Sequence, residues 1–250
     1  MNLEGKRILI TGGGTGIGLE LARRLVERNR VVIAGRDQEK LDRARADTPK
    51  LEVARLDVTS ETQARETVTQ IAEELGGLDV LVNNAGSLRG YPLASPDADA
   101  KSNEDVQVNV VGVLRMTRVA LPLLEASHEG AVVFVSSAVA LAAVPGYVVY
   151  AATKAAVHSV ARSLRAELAL RGIRVFDVLP PVVDTGPMES VDIPKLSPAA
   201  VADAIVGGLR RDREEIRVAQ VRQLALLARV LPGLADRLVT RALTQPDHTP

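Results

Sequence analysis

The chain has 250 residues, 46% of them hydrophobic, with 31 basic and 31 acidic side chains. A formal charge of zero argues against a nucleic-acid partner, which asks for a net basic face. The absence of cysteine removes disulfides, thiolate metal sites and cysteine nucleophiles.

No repeat or low-complexity stretch divides the chain, so a single domain over residues 1–250 is expected. The N-terminus, MNLEGKRILITGGG, passes directly into a strand-like run, with no charged segment ahead of an apolar one. The apolar runs stop short of the roughly 20 residues of a spanning helix. With no cysteine to oxidise, these features predict a cytoplasmic protein.

Short β-branched runs alternate with longer amphipathic ones. Strands are predicted at 7–11, 30–35, 51–58, 78–83, 130–137, 173–180 and 215–219. Most are nearly continuous apolar runs, as in strands buried on both faces. Helical patterns fill 16–29, 37–46, 60–75, 103–126, 148–171 and 197–210. Repeated strand–helix–strand units with short connections imply right-handed crossovers and a parallel sheet. The expectation is a doubly wound α/β fold of Rossmann type, with a mainly parallel seven-stranded sheet flanked by helices.

The first strand runs into TGGGTGIG, Thr11 to Gly18, and then a helix. A glycine-rich turn there lets backbone N–H groups and the positive helix end approach a pyrophosphate. The common G-x-G-x-x-G register fails, because Ile17 and Leu19 stand where glycine would be needed. What fits is T-G-x-x-x-G-x-G, with Thr11, Gly12, Gly16 and Gly18. This resembles the motif of the short-chain dehydrogenase/reductase family in its form of about 250 residues. The resemblance makes Gly12, Gly14, Thr15, Gly16, Ile17 and Gly18 the cofactor-contacting turn.

The second predicted strand ends IAGRDQEK, with Arg36 before Asp37. An arginine fork matches a ribose 2′-phosphate, whereas an acid accepts from a 2′-hydroxyl. Asp37 suits an N-cap equally well. NADP(H) is therefore favoured, with NAD(H) compatible. Asp57, with Val58 beside it, resembles the family's adenine-contacting aspartate, though a plain helix-start aspartate is an open alternative. Asn83, Ala85 and Gly86, in LVNNAG at the end of the fourth predicted strand, match a motif that steadies the sheet and passes close to the cofactor ribose.

Hydride transfer to a carbonyl leaves charge on oxygen that a protein group must protonate. Tyr150 and Lys154, four apart at the start of a predicted helix, share a face. They match the family's Y-x-x-x-K. A serine thirteen residues before the tyrosine selects Ser137 over Ser136, and adjacent strand residues face opposite ways. Asn109 matches the catalytic asparagine on the preceding long helix. By resemblance, Tyr150 is the general acid/base, and Lys154 binds the nicotinamide ribose and lowers the tyrosine pKa. Ser137 orients the substrate oxygen, and Asn109 supports a proton relay through a water. Tyr147, one turn earlier, is expected to line the substrate pocket. His128, His158 and His248 lack paired-ligand spacing, so no metal is expected and surface or capping roles suffice.

After the sixth predicted strand the family's P-G-x-V-x-T becomes Pro180, Pro181, Val182, Val183, Asp184, Thr185. Val183 and Thr185 still match positions that reach the nicotinamide carboxamide, while Pro181 excludes any positive φ. This wording resembles oxidoreductases associated with lipoteichoic-acid D-alanylation, which says little about substrate. Residues 184–196 are expected as a substrate lid, within a lid region to about 210. A helical extension over 220–250 is expected to break at Pro232-Gly233. From Arg210 to Leu243 there are eight arginines and four acids. The segment reads as a cover for the cleft or a subunit contact, ahead of an interfacial membrane contact. The family's pairing through two long helices, here near 103–126 and 148–171, implies a homodimer or homotetramer.

Together these features predict an NADP(H)-dependent oxidoreductase acting on a fairly apolar carbonyl or alcohol. A dinucleotide-sensing protein without turnover is the alternative.

Overall fold

The computed structural model describes residues 1–185 and 194–243. Most of the predicted lid, and His248, lie outside the described residues. Seven strands, β1 (Arg7–Thr11), β2 (Arg30–Gly35), β3 (Glu52–Arg55), β4 (Val80–Asn83), β5 (Ala131–Val135), β6 (Arg174–Leu179) and β7 (Glu215–Arg217), form one sheet. All pair in parallel, in the order β3-β2-β1-β4-β5-β6-β7. Crossing from β3 to β4 moves the chain to the other side of β1. That reversal of direction opens a crevice at the carboxyl ends of the central strands, where α/β sheets bind ligands.

The helices are α1 (Gly16–Leu25), α2 (Gln38–Asp47), α3 (Glu61–Leu75), α4 (Ala98–Val106), α5 (Val113–Glu125), α6 (Val148–Ala169), α7 (Pro198–Arg210), α8 (Val221–Val230) and α9 (Pro232–Leu243). Strand alternation sorts the core into two layers. Ile8, Ile10, Val31, Ile33, Val133 and Val135 face α1, α2 and α7. Leu9, Val32, Leu81, Val132 and Phe134 face α3, α5 and α6. Both faces are covered, which accounts for the unbroken apolar runs in the sequence.

Local chemistry sets the ends. Asp37, Ser60 and Ser197 each accept from a backbone N–H of the first turn of α2, α3 and α7. Gly76 closes α3 at φ 76°. Helix α1 stops at Leu25, short of Asn29, because the Asn29 amide donates to the Leu25 and Leu3 carbonyls and accepts from Lys6 N. β3 ends at Arg55 because Asp57 folds the chain into a turn, its Oδ1 accepting from Thr59 N at 2.9 Å and Thr59 Oγ1 at 2.7 Å.

The helix predicted from Asn103 starts at Ala98, where the polar residues of ADAKSN hide the apolar period. Between α4 and α5 it passes through a π-helical stretch, Gln107–Gly112. The whole run, Ala98–Glu125, is long and apolar enough to cross a membrane, a length the separate apolar runs in the sequence do not reveal. Here Met116, Ala120 and Leu124 are buried in the core beneath the sheet.

Candidate active site

The carboxyl ends of β1, β4, β5 and β6 open into one cavity of about 1120 Å³. Its first wall is the glycine turn, where Gly12, Thr15, Gly16 and Ile17 lie along the cavity. Gly12 and Gly16 hold φ of 65° and 57°, which glycine adopts without strain. A Cβ at Gly12 would meet Ala85 Cα at 2.8 Å, and one at Gly18 would meet Asn84 Nδ2 at 2.5 Å. Gly18 therefore serves close packing of α1 on β4, outside the cavity wall. Gly14 does not line it either, and a Cβ there would come no nearer than 3.4 Å to Lys40 Cβ.

The end of β4 is sewn to this turn. Asn84 Nδ2 lies 3.0 Å from both the Thr11 and Gly12 carbonyls, and Thr11 Oγ1 accepts from Asn84 N and Ala85 N at 3.1 Å. Ala85 and Gly86 line the cavity. Asn83 turns away, its buried Nδ2 donating to Thr117 Oγ1 at 2.9 Å and fixing β4 on α5.

Ser137, Tyr147, Tyr150 and Lys154 form the opposite wall. The adjacent serines separate as strand geometry requires. Ser136 donates to Asp177 Oδ1 at 2.6 Å, inside the sheet, while Ser137 is hydrogen-bonded with the Tyr150 phenol. The Tyr147 ring lies against Gly90, where a Cβ would meet Cε1 at 2.9 Å. Lys154 is buried, its Nζ donating to the Val135 carbonyl at 2.8 Å and lying 5.8 Å from the Tyr150 ring centre.

Burial pushes the Tyr150 phenol up to about 12, with the Ser137 hydrogen bond acting against it. Burial pulls Lys154 down to about 8, with the Asp177 carboxylate acting against it. The lowering of the tyrosine pKa was expected from Lys154 and the oxidised nicotinamide together, and would act against this burial. The ammonium is held at the end of β5, and desolvation of the phenol is the larger effect. A positive charge brought beside the phenol acts in the lowering direction.

Asn109 sits in the π-helical stretch and is buried. Its Oδ1 accepts from Ser87 N at 2.7 Å, and its Nδ2 donates to Ser87 O at 2.9 Å and Thr153 Oγ1 at 3.0 Å. A Cβ on Gly86 would lie 3.3 Å from Asn109 Oδ1 and 3.5 Å from Lys154 Nζ, so both polar atoms crowd the same glycine. After β6, Val183 and Thr185 line the cavity. Leu196 pairs with Val183 as an isolated bridge that closes the base of the loop. Thr185 reaches back to the glycine turn, its Cγ2 being 3.2 Å from a Cβ on Gly16.

Besides Gly14, Gly18 and Asn83, three more predicted cofactor residues lie away from this cavity. Arg36 is exposed at the end of β2. Asp57 is engaged in its turn, and Val58 packs against Gly112. Lys40, which the sequence did not single out, does line the cavity; its ammonium pairs with Asp37 at 3.1 Å.

A polar network behind the wall also escaped the sequence. Asp177 is fully buried on β6 and accepts from Ser136 at Oδ1 and from His158 Nδ1 at Oδ2, 2.5 Å away. This corrects the surface or capping role expected for His158; His128 is exposed as expected. Two signals were present: a lone acid in the apolar run RVFDVLP, and a histidine four residues after Lys154. On the far side, buried Asp105 accepts from Ser87 Oγ at 2.7 Å and pairs with Arg89 at 2.9 Å, shaping the loop after β4. Among the described residues no cluster of metal-ligating side chains occurs.

The sequence model of the family described as short chain dehydrogenase matches residues 6–194. The chain belongs to this family. An oxidoreductase of Bacillus subtilis (strain 168), named as uncharacterized and DltE, is 35% identical over 188 residues, 74% of this chain and 75% of that protein. An uncharacterized oxidoreductase of Staphylococcus aureus (strain USA300) is 30% identical, covering 84% of this chain and 94% of its own. Among solved structures, a short chain dehydrogenase from Burkholderia cenocepacia J2315 in complex with NADP superposes with a TM-score of 0.85. It is 28% identical and covers 96% of this chain and 99% of that one. A 3-ketoacyl-(acyl-carrier-protein) reductase from Brucella melitensis complexed with NADH gives 0.78 at 29% identity, covering 85% and 94%.

This short-chain dehydrogenase is thus an oxidoreductase of CH–OH and C=O groups. The glycine turn fits a dinucleotide: Gly12 and Gly16 bring bare backbone to the cavity wall, and the N-terminus of α1 lies along it.

The Asp177 network makes a measurable claim. Asp177→Asn keeps the shape but removes the charge that supports the Lys154 ammonium. The alkaline limb of the kcat/KM profile should move to lower pH, with about 1–3 kcal/mol of stability lost from the unmatched buried donors. An unmoved limb would show that Asp177 and Lys154 are uncoupled.

Proposed function

We propose that this short-chain dehydrogenase interconverts a ketone or aldehyde and its alcohol with NADP(H), Tyr150 acting as general acid/base. The observation that carries the reading is the meeting of Ser137, Tyr150 and Lys154 on one cavity wall, across from the glycine turn. The nicotinamide supplies or accepts the hydride when bound.

The chain's own residues do the remainder. The Ser137 hydroxyl donates to the carbonyl oxygen and sets its position beside the Tyr150 phenol. The phenol gives that oxygen its proton as negative charge develops there. Lys154, fixed by the Val135 carbonyl, keeps a positive charge near the phenol and would hold the ribose of a bound cofactor. Asn109, clamped between Ser87 and Thr153, holds the relay next to the lysine. Val144, Tyr147 and Leu224 make the other end of the cavity apolar, which supports a fairly apolar small-molecule substrate.

NADP(H) is preferred in this reading because Lys40 lines the cavity, with Arg36 exposed four residues before it, just after β2. Asp37, the one acid there, already accepts from Lys40 N at 3.1 Å and pairs with its ammonium. The carboxylate is thereby drawn away from a ribose hydroxyl. A homo-oligomer in the cytoplasm belongs to the same proposal.

A panel of ketones and aldehydes with NADPH tests the chemistry. Tyr150→Phe should lose about 10²-fold or more in kcat while still binding NADPH. Tight NADPH binding with no panel member reduced, and no effect of Tyr150→Phe, would favour the sensing alternative.

The cofactor preference is read separately. Arg36→Ala should weaken NADPH about tenfold or more and NADH little, from the loss of a charge-assisted contact. Equal weakening of both would remove the 2′-phosphate assignment.

A further inference from the structure

Five of the ten large hydrophobic side chains exposed among the described residues fall within thirteen positions of the C-terminal helix pair. They are Leu226 and Val230 (each 65% exposed), Leu231 (52%), Leu234 (38%) and Leu238 (51%). Helical spacing places them in stripes. Arg222, Leu226, Arg229 and Val230 share the outer face of α8, and Leu234, Arg237, Leu238 and Arg241 that of α9.

This outer face carries arginine and no acid. Asp236, the one acid in these two helices, is half-buried and accepts from Ala143 N at 2.8 Å. Most arginines elsewhere are ion-paired, as Arg24 is with Asp203 and Arg89 with Glu104 and Asp105. None of Arg222, Arg229, Arg237 and Arg241 is paired with an acid among the described residues. An ordinary solvated helix mixes both charge signs outside and buries its leucines. Here the leucines are outside, and the charge beside them is of one sign.

The inner sides of the same helices line the cavity through Leu224, Val239 and Ala242. Leu238 both lines the cavity and is half-exposed, so apolar surface continues from the outside of α9 into the cavity mouth.

We propose that the outer face of α8 and α9 is a docking surface for anionic lipid bilayers, which seats the cavity mouth at the membrane interface. Apolar side chains enter the acyl boundary while arginines meet lipid phosphates. A second copy of this chain fits the face poorly, because a two-fold contact sets each patch against itself and brings arginines onto arginines without an acid. The inference goes beyond the redox assignment and does not rest on it. It departs from the sequence expectation, which put a cover for the cleft or a subunit contact ahead of a membrane contact.

The test is co-sedimentation of the full chain with vesicles of phosphatidylglycerol and phosphatidylcholine mixed equally, against phosphatidylcholine alone. Turnover of a water-soluble ketone is followed in parallel. Binding should require phosphatidylglycerol and weaken in high salt. Arg229→Gln should lower the partition coefficient about fivefold, and L226S/V230S should abolish pelleting. Both variants should keep wild-type melting behaviour and soluble turnover. Failure of the wild-type protein to pellet with the anionic vesicles would overturn the proposal. So would pelleting that L226S/V230S leaves unchanged, or a wild-type dimer in sedimentation velocity that the same variant makes monomeric. Loss of turnover without loss of binding would tell against the redox reading alone.

Discussion

A buried ammonium is the constraint around which this site is organised. Lys154 sits buried at the end of β5, where desolvation draws its pKa down to about 8. The Val135 carbonyl accepts from it directly, and Asp177 on the neighbouring strand supplies the opposing charge. Asp177 is in turn held by Ser136 and His158, so two strands and one helix must be in register for the lysine to stay charged. The Tyr150 phenol then inherits its place from α6, one turn before the lysine. Catalytic geometry and core packing are here the same set of contacts, and a site built on strands and a helix keeps its positions better than one built on loops.

The opposite wall is held by backbone instead of charge. The glycine turn after β1 is clamped from the side by Asn84 and Thr11, and Gly12, Thr15, Gly16 and Ile17 line the cavity. The reversal of strand order between β1 and β4 opens the crevice at the carboxyl ends of the central strands, a cavity of about 1120 Å³. The apolar end of that cleft is completed by α8 and α9, elements outside the matched family region of residues 6–194.

Most of this architecture was legible in the sequence because buried parallel strands and glycine turns leave strong local marks. RILIT followed by TGGGTGIG is one continuous strand–turn–helix unit, and Tyr150 with Lys154 needs only helical spacing. The cap at Asp37 was equally local. What stayed hidden depends on contacts across the sheet. Asp177 and His158 are nineteen positions apart and meet only when β6 lies beside β5. Asn84 looked like the lesser partner of Asn83 until β1 came alongside. Lys40 belongs to the cavity because α2 folds back over Gly14. The start at Ala98 was masked because polar residues carry the first turns of α4, and a π-helical stretch shifts the register of the helix that follows.

The account stands or falls on hydride delivery at a carbonyl carbon governed by the Ser137–Tyr150–Lys154 wall. The direct measurement is transfer of deuterium from the reduced nicotinamide ring of labelled NADPH to product in a single turnover. The account predicts one deuterium on the carbinol carbon and a solvent-derived proton on its oxygen. A product carrying solvent hydrogen at that carbon, or label retained entirely in the cofactor, would contradict it.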